Sequence, residues 1–192
     1  MTRPVVRGAV GTLFLWVMSA TPGLAQDGAL VIHAHGSYFA PLSSLSDTTD
    51  DLAPSVAYGG GVGVQLGGRV AIRGDLTIVA TRYRGPTATV NPDGIGRLYV
   101  FGDLQVGWPG TSNLVPYVLV GAGAVRNAPR DPTQPSTWSP AGRGGVGVNY
   151  LSGLGAVFVE VHAVASRFAS LGFSKLQLDL AVHTGLAFAI PF

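Results

Sequence analysis

Cysteine is absent from this chain of 192 residues, and only 11% of its residues are charged. The first absence rules out a disulfide framework, so hydrogen bonding and packing alone must hold the fold. The second is unusual for a soluble enzyme, because soluble domains carry roughly 25% charged residues. Mean hydropathy is positive, at +0.37, which points towards lipid. A helical membrane span needs about 20 apolar residues in a row, and beyond Ala25 no such run exists. Bundles of membrane helices are therefore excluded. The sequence pI of about 9.2 raises nucleic-acid binding as a question, which the placement of the charges answers.

The chain starts MTRPVVRGAVGTLFLWVMSATPGLAQDG. Arg3 and Arg7 precede an apolar stretch from Gly8 to Ala20, and the small residues Gly23 and Ala25 follow Pro22. A basic start, a short apolar stretch and small residues before a cleavage point are the layout of a secretory signal peptide. The expected division is a signal over 1–25 and one mature domain over 26–192, beginning at Gln26. A retained anchor helix is the alternative, but the apolar run is shorter than a span requires. Cleavage removes two arginines and no acid, which leaves ten basic against ten acidic residues. The basic pI belongs largely to the leader, and no nucleic-acid partner is expected.

Eight segments with period-two alternation follow. They run from about Ala29 to Ala40, Ser55 to Leu66, Arg69 to Tyr83, Ile95 to Trp108, Pro116 to Asn127, Ala141 to Tyr150, Gly155 to Phe168 and Lys175 to Phe192. Each is roughly 10 to 14 residues or a little longer, whereas soluble strands average five or six and a transmembrane strand needs about 9 to 11. The connections alternate too. PLSSLSDTTDDLAP, RGPTATVNPDG, APRDPTQPSTWSP and ASLGFS are long or polar, and those between them (GG, PGTSNLV and LSGL) are mostly tighter. Outer-membrane barrels combine an even strand number with long extracellular loops and short periplasmic turns.

Parity assigns the faces, because alternate side chains of a strand point to opposite sides. In the third segment Val70, Ile72, Leu76, Ile78 and Ala80 oppose Arg73, Asp75, Thr77 and Thr81. In the fourth, Leu98, Val100, Leu104 and Val106 oppose Arg97, Asp103 and Gln105, and in the seventh Val157, Val159, Val161 and Ala163 oppose Glu160 and His162. In the last, the row from Leu176 to Phe192 opposes Gln177, Asp179, Ala181, His183, Gly185, Ala187 and Ala189. A ligand-binding barrel of lipocalin type would put the greasy face inside, and its water-facing exterior would need far more charge than 11%. The inverse barrel fits directly, since closure pairs every backbone group and nothing polar meets lipid.

The final strand, KLQLDLAVHTGLAFAIPF, ends on Phe192 with apolar residues at every second position before it. It resembles the recognition signature of outer-membrane barrels handled by the barrel-assembly machinery, with Phe188, Ile190 and Phe192 as the assembly signal. PYVLVGAG, Pro116 to Gly123, is similar to the aromatic and glycine-rich strands of small OmpA-like and opacity-like barrels. The resemblance implies an all-β fold: an eight-stranded antiparallel up-and-down transmembrane β-barrel in the outer membrane, with a polar interior, and it supplies no catalytic residue. No peptidoglycan-binding domain of the OmpA kind is expected.

Aromatics near strand ends make interfacial girdles: Tyr38 and Tyr58 at the outer end, and Trp108, Tyr150, Phe188 and Phe192 at the periplasmic end. Eight of the ten mature basic residues, Arg82, Arg84, Arg97, Arg126, Arg130, Arg143, Arg167 and Lys175, fall in or beside the long connections, with Arg69 and Arg73 nearer the periplasm. Arg82, Arg126 and Arg167 continue outward faces, so they are expected to snorkel to the outer interface and meet lipopolysaccharide phosphates. Ordinary solvated loop arginines are the alternative.

All four histidines, His33, His35, His162 and His183, share inward parity, and closure makes their strands neighbours. His162 is expected near Asp179, and Glu160 near the level of His183. Such a cluster has the donors to bind zinc or move protons. An eight-stranded barrel is just wide enough to fill with side chains, however, and buried charges must find partners. The expected role of His33, His35, Arg73, Asp75, Arg97, Asp103, Arg143, Glu160, His162, Asp179 and His183 is thus a lumenal polar network, with no metal and no cofactor. Inward glycines, among them Gly59, Gly61, Gly63, Gly145, Gly147 and Gly185, leave a narrow water path open as an alternative, or let the barrel curve around large neighbours.

Lipid A deacylases and acyltransferases also use small outer-membrane barrels, and a deacylase of this type needs a histidine and serine pair on the lipid face. The nearest candidate is His183 followed by Thr184, where the histidine has inward parity and the serine is missing. The expected function is structural or surface-interactive (membrane integrity, adhesion, loop presentation) without catalysis, with a narrow pore for small solutes as the alternative and a lipid A-modifying enzyme behind it. Outer-membrane lipid, lipopolysaccharide and the assembly machinery are the expected partners of a monomer, and DTTDD and RDPTQPSTWSP name no extracellular ligand.

Overall fold

A computed structural model describes residues 28–45, 51–85, 94–170 and 173–192. The expected signal peptide, most of DTTDD and RGPTATVNPDG, and the centre of ASLGFS lie outside the described residues. The described residues form ten strands: β1 (Ala29–Pro41), β2 (Asp51–Leu52), β3 (Ser55–Leu66), β4 (Val70–Thr81), β5 (Tyr83–Arg84), β6 (Ile95–Gly107), β7 (Leu114–Pro129), β8 (Thr137–Ser152), β9 (Gly155–Ser170) and β10 (Phe173–Pro191). Eight of them close into one barrel in the order β1, β10, β9, β8, β7, β6, β4, β3. Every pairing is antiparallel, and β1 closes on β10 from Ala29 opposite Pro191 to Pro41 opposite Asp179.

Alternation places one face of each strand outside. Ile32, Val62, Leu76, Ile78, Leu104, Val120, Val146, Val159, Val182 and Leu186 are all exposed, which is a continuous apolar wall. Two connections at one end are tight. Gly67 (φ 68°) opens the turn from β3 to β4, and Gly153 (φ 61°) the two-residue turn from β8 to β9. A left-handed residue at the first position suits such hairpins, and glycine adopts it without steric cost.

Three features differ from the sequence expectation. The strands β7 and β8 run further than their alternation suggested, because Arg126 and Asn127 pair with Trp138 and Thr137; Trp138 becomes an exposed wall residue. The connection from β9 to β10 is only 171–172, since pairing continues to Ser170 opposite Phe173. At the loop end, a piece of an expected loop pairs with the end of the expected third segment and the residue after it, Leu52 with Tyr83 and Asp51 with Arg84, and Ala53 N–H donates to Arg82 O at 2.8 Å. This small sheet folds inward, so that Leu45, Leu52, Tyr83, Ile95 and Phe168 form a buried apolar cluster at that end of the barrel.

Candidate functional site

The lumen holds the chemistry. All eleven residues of the expected polar network turn into it, and ten of them are buried, with Arg73 partly so. The interior is not only polar and small, as parity alone suggested. Phe39, Tyr99, Phe101, Tyr117, Phe158 and Phe168 also point inward and are buried. The inward glycines accommodate these rings. A Cβ on Gly59 would lie 2.6 Å from His35 Nε2, and one on Gly147 would lie 2.5 Å from Tyr117 Cζ. Rings therefore occupy the room that the glycines leave.

Along β6 the inward positions are Arg97, Tyr99, Phe101 and Asp103, ionic at both ends and aromatic between. Arg97 Cζ lies 4.9 Å over the Tyr99 ring and Arg143 Cζ 4.5 Å over Phe101, with the two rings stacked at 6.4 Å. The aromatic layer separates two ion clusters.

The cluster nearer the loops is small. Arg97 Nη1 donates to Asp179 Oδ2 at 2.9 Å, Tyr99 Oη donates to the same oxygen at 2.9 Å, and Gln177 Nε2 donates to Asp179 Oδ1 at 3.1 Å. Arg97 Nε donates to Asn127 Oδ1 at 3.1 Å. The expected neighbourhood of His162 and Asp179 is not found, because Asp179 sits opposite Val164 in the ladder and its carboxylate is taken up by Arg97 and Tyr99.

The cluster nearer the turns is larger. Arg73 binds both oxygens of Glu160, Nη2 to Oε2 at 2.9 Å, and Tyr117 Oη donates to Glu160 Oε1 at 2.6 Å. Arg143 grips Asp103 with Nε, at 2.8 Å, and Nη2, while its Nη1 reaches Asp75 at 3.2 Å. Thr77 Oγ1 donates its single proton to Asp75 Oδ1, so it accepts from His35 Nε2 at 3.1 Å. His33 Nε2 lies 3.0 Å from Asp75 Oδ2, and His162 Nε2 lies 2.7 Å from Glu160 Oε2. His183 is directly opposite Glu160 in the ladder. The four imidazoles form a row, with ring centroids 6.0 Å (His33 to His35), 4.4 Å (His35 to His183) and 4.4 Å (His183 to His162) apart.

These contacts cross the bore. Strands β4 and β9, which carry Arg73 and Glu160, are four places apart in the ring of eight, and so are β6 and β10, which carry Arg97 and Asp179. Each guanidinium thus spans the lumen.

Outside, Arg82, Arg126 and Arg167 are exposed. Arg126 Nη2 donates to Ser136 Oγ at 3.1 Å and Arg167 Nη2 to Ser174 Oγ at 2.8 Å. Arg97 and Arg143 lie near the long connections in the chain but turn inward, as their parity requires, and Asp179, Asp103 and Asp75 hold them there. In the connection from β7 to β8, the Thr133 N–H and hydroxyl hold the Asp131 carboxyl below the usual carboxylate range. Phe188, Ile190 and Phe192 are exposed at the turn end. His183 and Thr184 face opposite sides of β10, one buried and one exposed.

No protein-family model matches the chain, and no curated protein matches it in sequence. Solved structures do. Neisserial surface protein A superposes with a TM-score of 0.62 at 12% identity, over 85% of this chain and 99% of that one. The outer membrane protein OprG from Pseudomonas aeruginosa gives 0.58 at 13%, over 86% and 97%. The outer membrane protein AlkL, solved in DMPC lipid bilayers, gives 0.56 at 14%, over 93% and 98%. In fold, this chain is a closed, all-antiparallel eight-stranded β-barrel of the kind found in small outer-membrane proteins.

Proposed function

We propose that the protein is an outer-membrane barrel whose lumen is a filled plug, and that its role is structural and surface-presenting rather than catalytic. The observation that carries this reading is the pair of guanidinium bridges spanning the bore, Arg73 to Glu160 and Arg97 to Asp179, below the apolar cluster at the loop end. A solute path would have to break buried ion pairs, which costs about 3–5 kcal/mol for each pair left with an unmatched charge. The apolar wall supports residence in a bilayer, where a closed barrel leaves no backbone group unpaired. The basic start and short apolar stretch before Ala25 have the layout of a secretory leader, which supports export. Planar-bilayer conductance of the refolded protein tests the plug: silence is expected, and steady discrete steps would establish the narrow pore instead.

The exposed Arg82, Arg126 and Arg167 belong to the same reading as contacts for lipopolysaccharide phosphates, and Phe188, Ile190 and Phe192 as the signal for the assembly machinery. The triple change of these arginines to Gln is expected to reduce lipopolysaccharide co-purification while leaving barrel stability within about 0.5 kcal/mol, as for surface substitutions in general. Unchanged co-purification would remove the contact ring.

A further inference from the structure

The turn-side ion cluster does not balance. Among the described residues it sets two guanidiniums, Arg73 and Arg143, against three carboxylates, Asp75, Asp103 and Glu160. A buried excess of negative charge is costly unless a cation meets it. The same place gathers buried polar atoms with no hydrogen-bond partner: the donor Arg73 Nε, and Ser37 Oγ, His162 Nδ1 and His183 Nε2. Ser37, His183 and Glu160 lie side by side in the ladder across β1, β10 and β9. Unsatisfied imidazole nitrogens beside surplus carboxylate are what a cation with nitrogen and oxygen ligands would satisfy.

Two groups of three residues bring ligand atoms within 4.8 Å of one another, His33, His35 and Asp75, and Glu160, His162 and His183. Both groups are hydrogen-bonded: in the first, His33 bonds Asp75, His35 bonds Thr77, and Asp75 also takes Thr77 and Arg143, and in the second, Glu160 takes Arg73, Tyr117 and His162 Nε2. The second is set apart by two bare imidazole nitrogens, His183 Nε2 and His162 Nδ1, while His162 Nε2 is the nitrogen that faces Glu160. We propose that Glu160, His162 and His183 form a lumenal binding site for one divalent transition-metal ion. Two imidazoles and a carboxylate suit zinc, cobalt, nickel or copper, whereas calcium and magnesium prefer oxygen ligands alone. Arg73 and Tyr117 orient the Glu160 carboxylate from behind, as outer partners of a ligating carboxylate do. The site is closed to solvent, so the ion enters as the barrel forms. This proposal departs from the expectation of a metal-free network drawn from the chain alone, and it is carried by the bare nitrogens and the charge excess.

The test is refolding of the full barrel with cobalt(II), removal of free ion, and measurement of bound metal and its visible absorption. One equivalent per chain, with X-ray absorption showing imidazole in the shell and a raised unfolding temperature, is the expected result. His183→Phe keeps a ring in the row but offers no ligand and should lower retention at least tenfold, while His33→Phe should leave it unchanged. Absence of stoichiometric cobalt in the wild-type barrel, a shell without imidazole, or loss in His33→Phe with retention in His183→Phe would each overturn the site. The wild-type measurement decides even if a variant fails to fold.

Discussion

The two ion clusters of the lumen use the same residue types and solve different problems. The loop-side cluster matches one guanidinium, Arg97, with one carboxylate, Asp179, and the carboxylate also accepts from Tyr99 and Gln177. The turn-side cluster shares two guanidiniums among three carboxylates and leans on histidines for the remainder. The first is a closed unit that could be removed whole. The second is a connected network in which Arg73, Arg143, Asp75, Asp103 and Glu160 each serve at least two neighbours, so losing one strands several. Charge balance, more than burial, distinguishes them.

Removing the shared cation of the larger network should have the largest effect. Arg143→Met leaves Asp103 and Asp75 buried with their main donor gone, and breaking a buried pair in this way costs about 3–5 kcal/mol. Urea unfolding in lipid vesicles, followed by the fluorescence of Trp108 and Trp138 at opposite ends of the barrel, measures it. The matching change on the loop side, Arg97→Met, should cost about 3 kcal/mol, the low end of that range, because Tyr99 and Gln177 still hold Asp179. Equal losses at the two sites would dissolve the distinction between a closed unit and a network.

Much of this barrel is readable in the chain, for a definite reason. Strand period is two, so parity states the face of every residue once the strand is found, and Arg73, Asp75, Glu160, His162 and His183 all face as alternation requires. What parity cannot state is the level at which side chains meet across the bore. Barrel strands are tilted and staggered, so Asp179 meets Arg97 from the opposite wall rather than His162 from the adjacent strand. Inward aromatics were also missed, because a greasy residue in a barrel reads as lipid-facing until the register sets it against a glycine, as Tyr117 is set against Gly147. The cap at the loop end was illegible for a third reason. Leu45 and Leu52 sit in segments with no alternation, Tyr83 is the last residue of an alternating one, and the pairing of β2 with β5 brings Leu52 and Tyr83 together over the mouth.

The smallest expected effect is the most informative about the comparison. The double change Arg97→Met with Asp179→Leu removes both charges of the loop-side cluster at once. Replacing a buried ion pair by apolar residues of similar volume is often neutral or stabilising, and the surrounding Phe39, Val79, Val125 and Val164 are already apolar. The double variant should therefore unfold within about 1 kcal/mol of the parent, recovering most of the single-site loss. No pair on the turn side offers this route. Deleting Arg143 together with Asp103 leaves Asp75 and Glu160 facing Arg73 alone, with the charge excess intact, so the loss should persist in that double variant. Recovery at one site and persistence at the other is the signature of a closed pair beside a network that still lacks a cation.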